Sequence, residues 1–149
     1  MKVSGTISSI LRGKKREVWT IHPDATVYEA IQLMADKNIG AVLVTEDDRL
    51  LGVISERDYT RKVMLKGKTS RETKVREICS VCPAVISPND SVDEAMRKMS
   101  SRRVRHLPVV EGEKIVGIVS IGDLVNWTIT AQDVAINQLE TYIHGHASE

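Results

Sequence analysis

The sequence predicts an α+β fold built from two tandem β-α-β-β-α repeats that are related by internal pseudo-two-fold symmetry. The first observation is a gapless repeat: 11 of the 38 positions from 21 to 58 are identical 65 residues later. A fixed period indicates duplicated supersecondary structure. The second observation is that each copy alternates β-rich apolar runs with apolar residues at helical spacing. Copies of about 60 residues bury little core alone, so we expect them to share one.

The first repeat opens with a short β-rich run at 18–21, which ends at Pro23. Thr26 and Glu29 then match a capping box, the side-chain pattern that begins a helix. Ser91 and Glu94 repeat this pattern in the second copy. One buried helix face is predicted in each copy, formed by Val27, Ala30, Ile31 and Met34, and by Val92, Ala95, Met96 and Met99.

Two further strands follow each helix. The apolar runs 41–44 and 107–110 predict buried strands, and the polar stretches 46–49 and 111–114 predict turns into the next strands. Pro108 lies within its run, and because proline cannot donate to a strand ladder we expect an edge strand there.

The remaining segments define the domain boundaries. We predict an N-terminal segment (1–17), a first domain (18–66), a connecting segment (67–82), a second domain (83–130) and a C-terminal helix and tail (131–149). The basic cluster at 12–16 is interpreted as a solvated linker, since it lacks the interleaved aromatic residues of a nucleic-acid site. The tail carries an apolar stripe that needs a covering surface, formed by Ala135, Ile136, Leu139, Tyr142 and Ile143.

Composition narrows the function class. A net charge of +1 argues against a polyanion as the main partner. No apolar run is long enough to cross a bilayer, so we expect a cytoplasmic protein without a membrane partner. Cys79 and Cys82 form a single CxxC, interpreted as linker cysteines in preference to a redox or half-zinc site. No metal-ligand cluster or catalytic triad is recognisable, so we expect no catalytic turnover.

The most specific local pattern is Gly-x-x-Ser-x-x-Asp, which runs from Gly52 to Asp58 and again from Gly117 to Asp123. A buried strand that leads into a helix presents free N–H groups to an anion, and an aspartate one turn later accepts hydrogen bonds from two vicinal hydroxyls. The glycine permits close approach of a ligand or a neighbouring backbone. The same Ser and Asp also make an ordinary helix N-cap, which needs no ligand.

The wider pattern resembles the CBS domain family, and specifically a stand-alone pair of CBS domains, or Bateman module. The resemblance rests on Ile21-His22-Pro23, on Ile86-Ser87-Pro88, on the run from Arg102 to Val110 and on the two Gly-x-x-Ser-x-x-Asp stretches. It covers residues 17–130. It implies two clefts between the repeats for adenine-containing ligands, namely AMP, ADP, ATP, NAD(H) or S-adenosylmethionine. It also implies a homodimer.

Carried over by position, the resemblance assigns an aspartate to ribose and a serine to phosphate in each cleft. Backbone groups of the first strand would form hydrogen bonds with the edge of the adenine, and side chains there would pack on both faces of its ring. The ligand-binding residues it implies are Thr20, Ile21, Gly40, Ala41, Ser55, Arg57, Asp58, Val85, Ile86, Arg105, His106, Pro108, Ser120 and Asp123.

The two copies differ where charge matters. Arg105 and His106 stand where the first repeat has Gly40 and Ala41, and Arg57 has no basic counterpart in the second repeat. If these cations share one groove, they would neutralise ligand phosphates. We therefore expect two non-equivalent clefts. An exposed or ion-paired role for the arginines, and a packed role for His106, remain alternatives.

Two functional hypotheses follow. The first is a regulatory module that senses an adenine nucleotide and signals to an unknown protein through a conformational or dimer-interface change. The second is a dimerisation or interaction scaffold that binds no nucleotide. A redox switch through Cys79 and Cys82 is a weaker third.

Overall fold

The structure, a computed structural model, describes residues 5–14, 17–81 and 83–147, without the side chains of 134–135 and 142–147. It confirms the α+β class and, apart from the first strand of the second repeat, the repeated element order. The helices and strands are α1 (Ile7–Arg12), β1 (Thr20–Ile21), α2 (Val27–Lys37), β2 (Ala41–Glu46), β3 (Arg49–Ser55), α3 (Glu56–Tyr59) with a π-helical turn (Thr60–Met64), α4 (Val75–Ile78), β4 (Ser80–Val81), α5 (Val92–Arg102), β5 (His106–Glu111), β6 (Lys114–Ser120) and α6 (Ile121–Ala147).

The first repeat forms a four-stranded sheet in the order β1-β2-β3-β4. β1 pairs in parallel with β2, and the other pairs are antiparallel. The predicted capping box is present: the Glu29 amide donates to Thr26 Oγ1 at 3.1 Å, and the Thr26 amide donates to Glu29 Oε2 at 2.9 Å. In the second copy, Ser91 accepts from the Glu94 amide at 3.0 Å. Each helix buries three of the four residues of its predicted face, and the fourth, Ile31 or Met96, is partly buried.

The second repeat holds only the hairpin β5-β6, and its expected first strand is reduced to one parallel bridge between Ile86 and Val109. Pro108 explains the difference. At the equivalent position of the first repeat, the Leu43 amide donates to the Trp19 carbonyl at 3.4 Å. Proline has no N–H, so this bond cannot form and the parallel pairing is shorter. The prediction that Pro108 makes its strand a local edge is consistent with this pairing.

Both predicted turns are two-residue hairpins. Asp47 and Asp48 both have positive φ, 52° and 62°, whereas Gly112 supplies the positive φ of 62° in the second turn. Positive φ at both central residues matches the twist of the flanking strands, which is why aspartate is acceptable here. The register shifts at Val44 and again at the equivalent Val109.

The two short helices outside the repeats, α1 and α4, are exchanged: each packs on the repeat that does not directly follow it in the sequence. α1 precedes the first repeat but buries Ile7 and Ile10 in the core of the second. α4 precedes the second repeat but buries Val75 and Ile78 in the core of the first. Each buried aliphatic side chain stabilises the fold by about 1.5–3 kcal/mol, so these segments hold the two repeats together.

The predicted shared core is present only as a small cluster between two separate cores. Each repeat has its own cluster of buried residues, and a third, smaller cluster joins them. This third cluster is centred on Leu43 in the first repeat and includes Ile115 and Ile118 from the second. The exchanged helices make this possible because they supply buried surface that a lone repeat of this size lacks.

The last helix, α6, has two different parts. Its first turns pack on the second repeat through the fully buried Leu124 and the partly buried Trp127. Farther along, Ile136 and Leu139 are 53% and 61% exposed, so the predicted apolar stripe is uncovered where its side chains are described. The predicted stripe residues Ala135, Tyr142 and Ile143 lie outside the described side chains. In the part of the chain that is described, no helix has the length and apolar character needed to span a membrane.

Candidate functional site in the cleft between the repeats

A cleft of about 400 Å³ lies between the two repeats and contains the main candidate site. The first repeat contributes Trp19, Gly40 and Ala41, together with residues 37–39 at the end of α2. The second contributes Ile118 and Ser120 from β6, with His106 and Asp123. Lys14 and Glu17 come from the N-terminal segment. This volume lies within the range of roughly 300–1,000 Å³ typical of small-molecule sites.

Asp123 is a partly buried acidic group of this cleft, and it is held by the start of α6. Its Oδ2 accepts from the Ser120 amide at 2.8 Å, and the Asp123 amide donates to Ser120 Oγ at 3.1 Å. Lys14 Nζ donates to the same Oδ2 at 2.6 Å. Burial alone would raise the pKa of Asp123, but the hydrogen bonds from Lys14 and Ser120 outweigh it and lower the pKa. The carboxylate is therefore ionised at neutral pH and suited to accept hydrogen bonds.

His106 faces Gly40 across the cleft. A methyl group added at Gly40 would lie 3.6 Å from His106 Nε2 and 3.7 Å from Glu56 Oε1, which is ordinary contact distance. Burial lowers the pKa of His106 from its usual 6.5, while attraction to Asp123 opposes the shift. A neutral imidazole can donate one hydrogen bond and accept another, so His106 can contact a ligand without adding charge.

The apolar side of the cleft contains an aromatic ring. Trp19 lies next to β1, and Lys37 Nζ sits 4.2 Å from its ring centroid in a cation–π contact. Ile118, Ile39 and Ala41 complete this side. An aromatic face beside a carboxylate and a helix N-terminus gives one cleft both apolar and polar contacts.

The matching motif of the first repeat has the same cap but different surroundings. The Ser55 amide donates to Asp58 Oδ2 at 2.8 Å, and the Asp58 amide donates to Ser55 Oγ at 3.2 Å. Asp58 Oδ1 lies 3.3 Å from Lys62 Nζ, one helical turn along. Both carboxylate oxygens therefore have partners within the first repeat, and neither Ser55 nor Asp58 lines the cleft.

Arginines gather outside the cleft, near the first-repeat motif. Repulsion from Arg61 is the largest cause that lowers the pKa of Arg57, followed by burial and by repulsion from Arg105, while Asp58 opposes the shift. The three guanidinium groups are thus close enough to influence one another, and all three residues are exposed. The expected grouping of Arg57 with Arg105 is present, but of the predicted cations only His106 lines the cleft.

Comparison with known proteins supports the family resemblance. A family model described as the CBS domain matches residues 7–65 and 75–129, most of the chain. The chain belongs to the CBS domain family. The two matches begin at the first residues of α1 and α4. Each CBS domain therefore begins with a short helix that packs on the other repeat.

Relatives of this CBS pair include free-standing proteins of the same kind. A mitochondrial CBS domain-containing protein of Arabidopsis thaliana is 36% identical over 152 residues, covering 95% of this chain and 73% of its own. A solved structure of a protein with CBS domains from Burkholderia ambifaria is 43% identical, with a TM-score of 0.82, and the match covers 85% of this chain and 95% of that one. A CBS domain protein of Pyrobaculum aerophilum, solved in complex with AMP, is 26% identical, with a TM-score of 0.70 and coverage of 79% and 88%.

The CBS pair brings together five of the predicted site residues: Gly40, Ala41, His106, Ser120 and Asp123. The others lie elsewhere. Ile21 is partly buried against the first core, and Ile86 and Pro108 are buried in the second repeat. Thr20 is exposed, and the Val85 carbonyl accepts from Lys98 Nζ at 2.8 Å. A ligand role for the fourteen residues stays a prediction. Five of them line one cleft and can contact the same ligand.

Seven residues that line the cleft were not among the predicted site residues, and three of them make side-chain contacts described above: Lys14, Trp19 and Lys37. Lys14 belonged to a cluster interpreted as solvated, yet it is half-buried and paired with Asp123; Lys15 and Arg16 lie outside the described residues. One signal was present. In the first repeat, Asp58 has Lys62 four residues later, whereas Asp123 has Trp127 at that position, so Asp123 needed a cation from elsewhere.

The cysteines add little. Burial is the main cause that raises the pKa of the Cys79 thiol, which makes its reactive thiolate scarcer. Cys82 lies outside the described residues, so the redox and metal interpretations of the CxxC stay untested. Within the described ranges, no three His, Cys, Asp or Glu side chains converge as a metal site would require.

Proposed function

We propose that this CBS pair is a regulatory module that binds one adenine nucleotide in the cleft between its repeats and relays occupancy to a partner protein. The observation that carries the proposal is the combination, in one cleft of about 400 Å³, of the Trp19 ring with the ionised Asp123. A nucleoside needs both: apolar contact for the base and acceptors for the ribose hydroxyls. The AMP bound to the Pyrobaculum relative supports this ligand class.

Each part of the nucleotide has a proposed contact. The base stacks on Trp19 after Lys37 moves aside, and the ribose hydroxyls donate to Asp123. The start of α6, where the helix dipole is positive, faces the first phosphate together with Ser120 Oγ. No reaction is proposed, since binding and release are sufficient for a sensor. The cytoplasmic compartment also stays a prediction.

The arginine group near Asp58 is a candidate contact for further phosphates. If Arg57 and Arg105 take part, Arg105→Ala should weaken ATP binding more than AMP binding, because only the longer chain offers additional negative charge. An equal loss for both ligands would assign Arg105 to the first phosphate or to the fold. Isothermal titration calorimetry with AMP and ATP separates these cases.

A second copy of the chain is the proposed occupant of the exposed face of α6. Val125, Ile129, Gln132, Ile136 and Leu139 follow alternating steps of four and three residues, the spacing of a coiled-coil seam. The four apolar members are 44–61% exposed. A symmetric partner would present the same stripe and place Gln132 against its own copy.

Association through α6 is tested by light scattering after size exclusion. A double variant, Ile136→Lys and Leu139→Lys, should shift a dimer towards monomer, because like charges would meet in the seam. Asn137→Lys adds the same type of charge at an exposed position off the seam and serves as the control. Dissociation by the control alone would contradict this interface.

The first test of the function is a thermal-shift panel with AMP, ADP, ATP, NAD, NADH and S-adenosylmethionine, with guanine nucleotides as controls. A ligand at about 100-fold over its dissociation constant adds roughly 2.7 kcal/mol, or several degrees at this size. A shift specific to adenine ligands that is lost in Asp123→Asn would support the proposed site. No shift with any adenine ligand would favour the scaffold alternative.

A further inference from the structure

Lys14 lies across the polar end of the cleft. Its Nζ donates to Asp123 Oδ2 at 2.6 Å and to the Ile118 carbonyl at 3.0 Å. Both acceptors belong to residues that line the cleft. The Lys14 side chain is 35% exposed and the Asp123 side chain 22% exposed, so the pair is in contact with solvent on one side.

The N-terminal segment positions Lys14 next to Asp123. α1 is anchored on the second repeat by the buried Ile7 and Ile10, and the Ile7 amide donates to the Asp90 carbonyl at 2.9 Å. Lys14 follows the end of α1 by two residues. Its position therefore depends on a segment outside the duplicated motif, and its backbone can stay anchored while the side chain leaves Asp123.

We propose that Lys14 is a displaceable latch, which occupies Asp123 in the empty cleft and must leave when a ligand's vicinal hydroxyls take its place. This inference rests on the proposed function, because it concerns the same cleft and the same carboxylate. The latch weakens ligand binding, because a ligand must first displace Lys14 from Asp123. A latch closed about 70–90% of the time would weaken apparent affinity about 3- to 10-fold.

A competing role for Lys14 predicts the opposite sign. If Lys14 were a phosphate contact, its removal would weaken binding of a phosphorylated ligand and leave the unphosphorylated nucleoside unaffected. Adenosine and AMP therefore distinguish the two roles. Adenosine has the base and both ribose hydroxyls but no phosphate. Its affinity therefore depends on the competition between Lys14 and the ribose hydroxyls for Asp123, and not on a phosphate contact.

The experiment compares adenosine and AMP binding to the full chain and to Lys14→Met by calorimetry. The latch predicts adenosine affinity about 3- to 10-fold higher in the variant. Unchanged or lower adenosine affinity would overturn the latch while the nucleotide site stands. Absence of binding to both proteins would overturn the latch and the proposed function together, so the two failures are distinguishable.

Lys62 provides the matched control. It pairs with Asp58 at 3.3 Å and donates to the Ile78 carbonyl at 2.9 Å, the same arrangement as Lys14, but outside the cleft. Lys62→Met should leave adenosine affinity unchanged, and an equal gain there would overturn the assignment to Lys14. In an Asp123→Asn background, Lys14→Met should give a smaller gain, since the attraction that holds the latch is gone. A gain of the same size would count against the latch.

Discussion

The two copies of the motif, Ser55–Asp58 and Ser120–Asp123, form the same helix cap in different surroundings. Each pair forms a reciprocal helix cap, and each aspartate contacts a lysine that also donates to a backbone carbonyl. Lys62 belongs to the same helical segment as Asp58, whereas Lys14 comes from 109 residues away. Only the second pair opens into the cleft.

This difference shows what duplication does and does not copy. The cap is local, so it was copied with the motif, while the lysine that contacts Asp123 comes from a segment outside the repeat. The same holds for the two glycines of the motif. A side chain at Gly52 would meet the backbone of β4, and one at Gly117 would meet Leu11 from α1. Equivalent positions are thus covered by unrelated elements.

The largest expected effect tests the functional side of this comparison. Asp123→Ala should weaken adenine-nucleotide binding about 10- to 100-fold, because hydrogen bonds to a charged group contribute roughly 1.5–3 kcal/mol. Asp58→Ala should change affinity less than about twofold. Calorimetry measures both, and because each variant loses one cap, a similar loss of stability of about 1 kcal/mol is the internal control. Equal affinity losses would indicate two equivalent sites.

The glycines test the structural side. In Gly52→Ala the new Cβ would clash with the Ser80 carbonyl oxygen, a backbone atom that cannot move without breaking the β3–β4 pairing. We expect a loss of about 1–3 kcal/mol in the free energy of unfolding. In Gly117→Ala the nearest atom, at 2.7 Å, is the end of the Leu11 side chain, which can rotate.

Urea denaturation of both glycine variants measures this comparison. The loss in Gly117→Ala should be the smaller of the two. A larger loss in Gly117→Ala would contradict this expectation. It would show that Leu11 of α1 moves away from the new methyl group less easily than the backbone of β4 does.

Sequence reasoning succeeded where the information is local. Capping residues, hairpin turns and helix faces depend on neighbours within a few positions, so Thr26, Asp47 and Met34 are where their patterns predict. Pro108 was predicted to mark an edge strand. Its full effect, a first strand reduced to one bridge, follows only from the Leu43–Trp19 hydrogen bond at the equivalent place in the first repeat.

The exchange of α1 and α4 could not be predicted from the repeat alone. Both helices are too short to be stable by themselves, and their buried faces have only two residues each. Their placement depends on which core has space for Ile7 or for Val75, and that is a long-range property. For the same reason, the resemblance identified the motif aspartates but missed Lys14, Trp19 and Lys37, which reach the cleft from outside the motif.

A smaller effect is expected at the helix starts. Thr26→Ala removes one half of a complete capping box and should cost about 1–2 kcal/mol, whereas Ser91→Ala removes a single cap bond and should cost about 0.5–1 kcal/mol. Thermal unfolding of the two variants makes the comparison. A reversed order would mean that the reciprocal bond from Glu29 contributes nothing to stability.

The smallest expected effect is on the pH dependence of stability. It involves His106, which titrates, whereas its counterpart in the first repeat, Ala41, does not. Because burial lowers the pKa of His106 in the folded state, the unfolded chain binds the proton more readily, and stability falls as the pH drops through 6.5 towards the lowered value. The groups that modulate this shift are Asp123 and Asp58, which raise the pKa, and Lys14 and Arg105, which lower it.

Denaturant unfolding of the wild type and of His106→Gln at pH 7.5 and pH 5.5 measures this contribution. The amide cannot titrate in this range, so the variant should lose less stability on acidification. Equal losses in the two proteins would contradict this prediction. They would show that the His106 imidazole is in contact with water in the folded state and that burial does not lower its pKa.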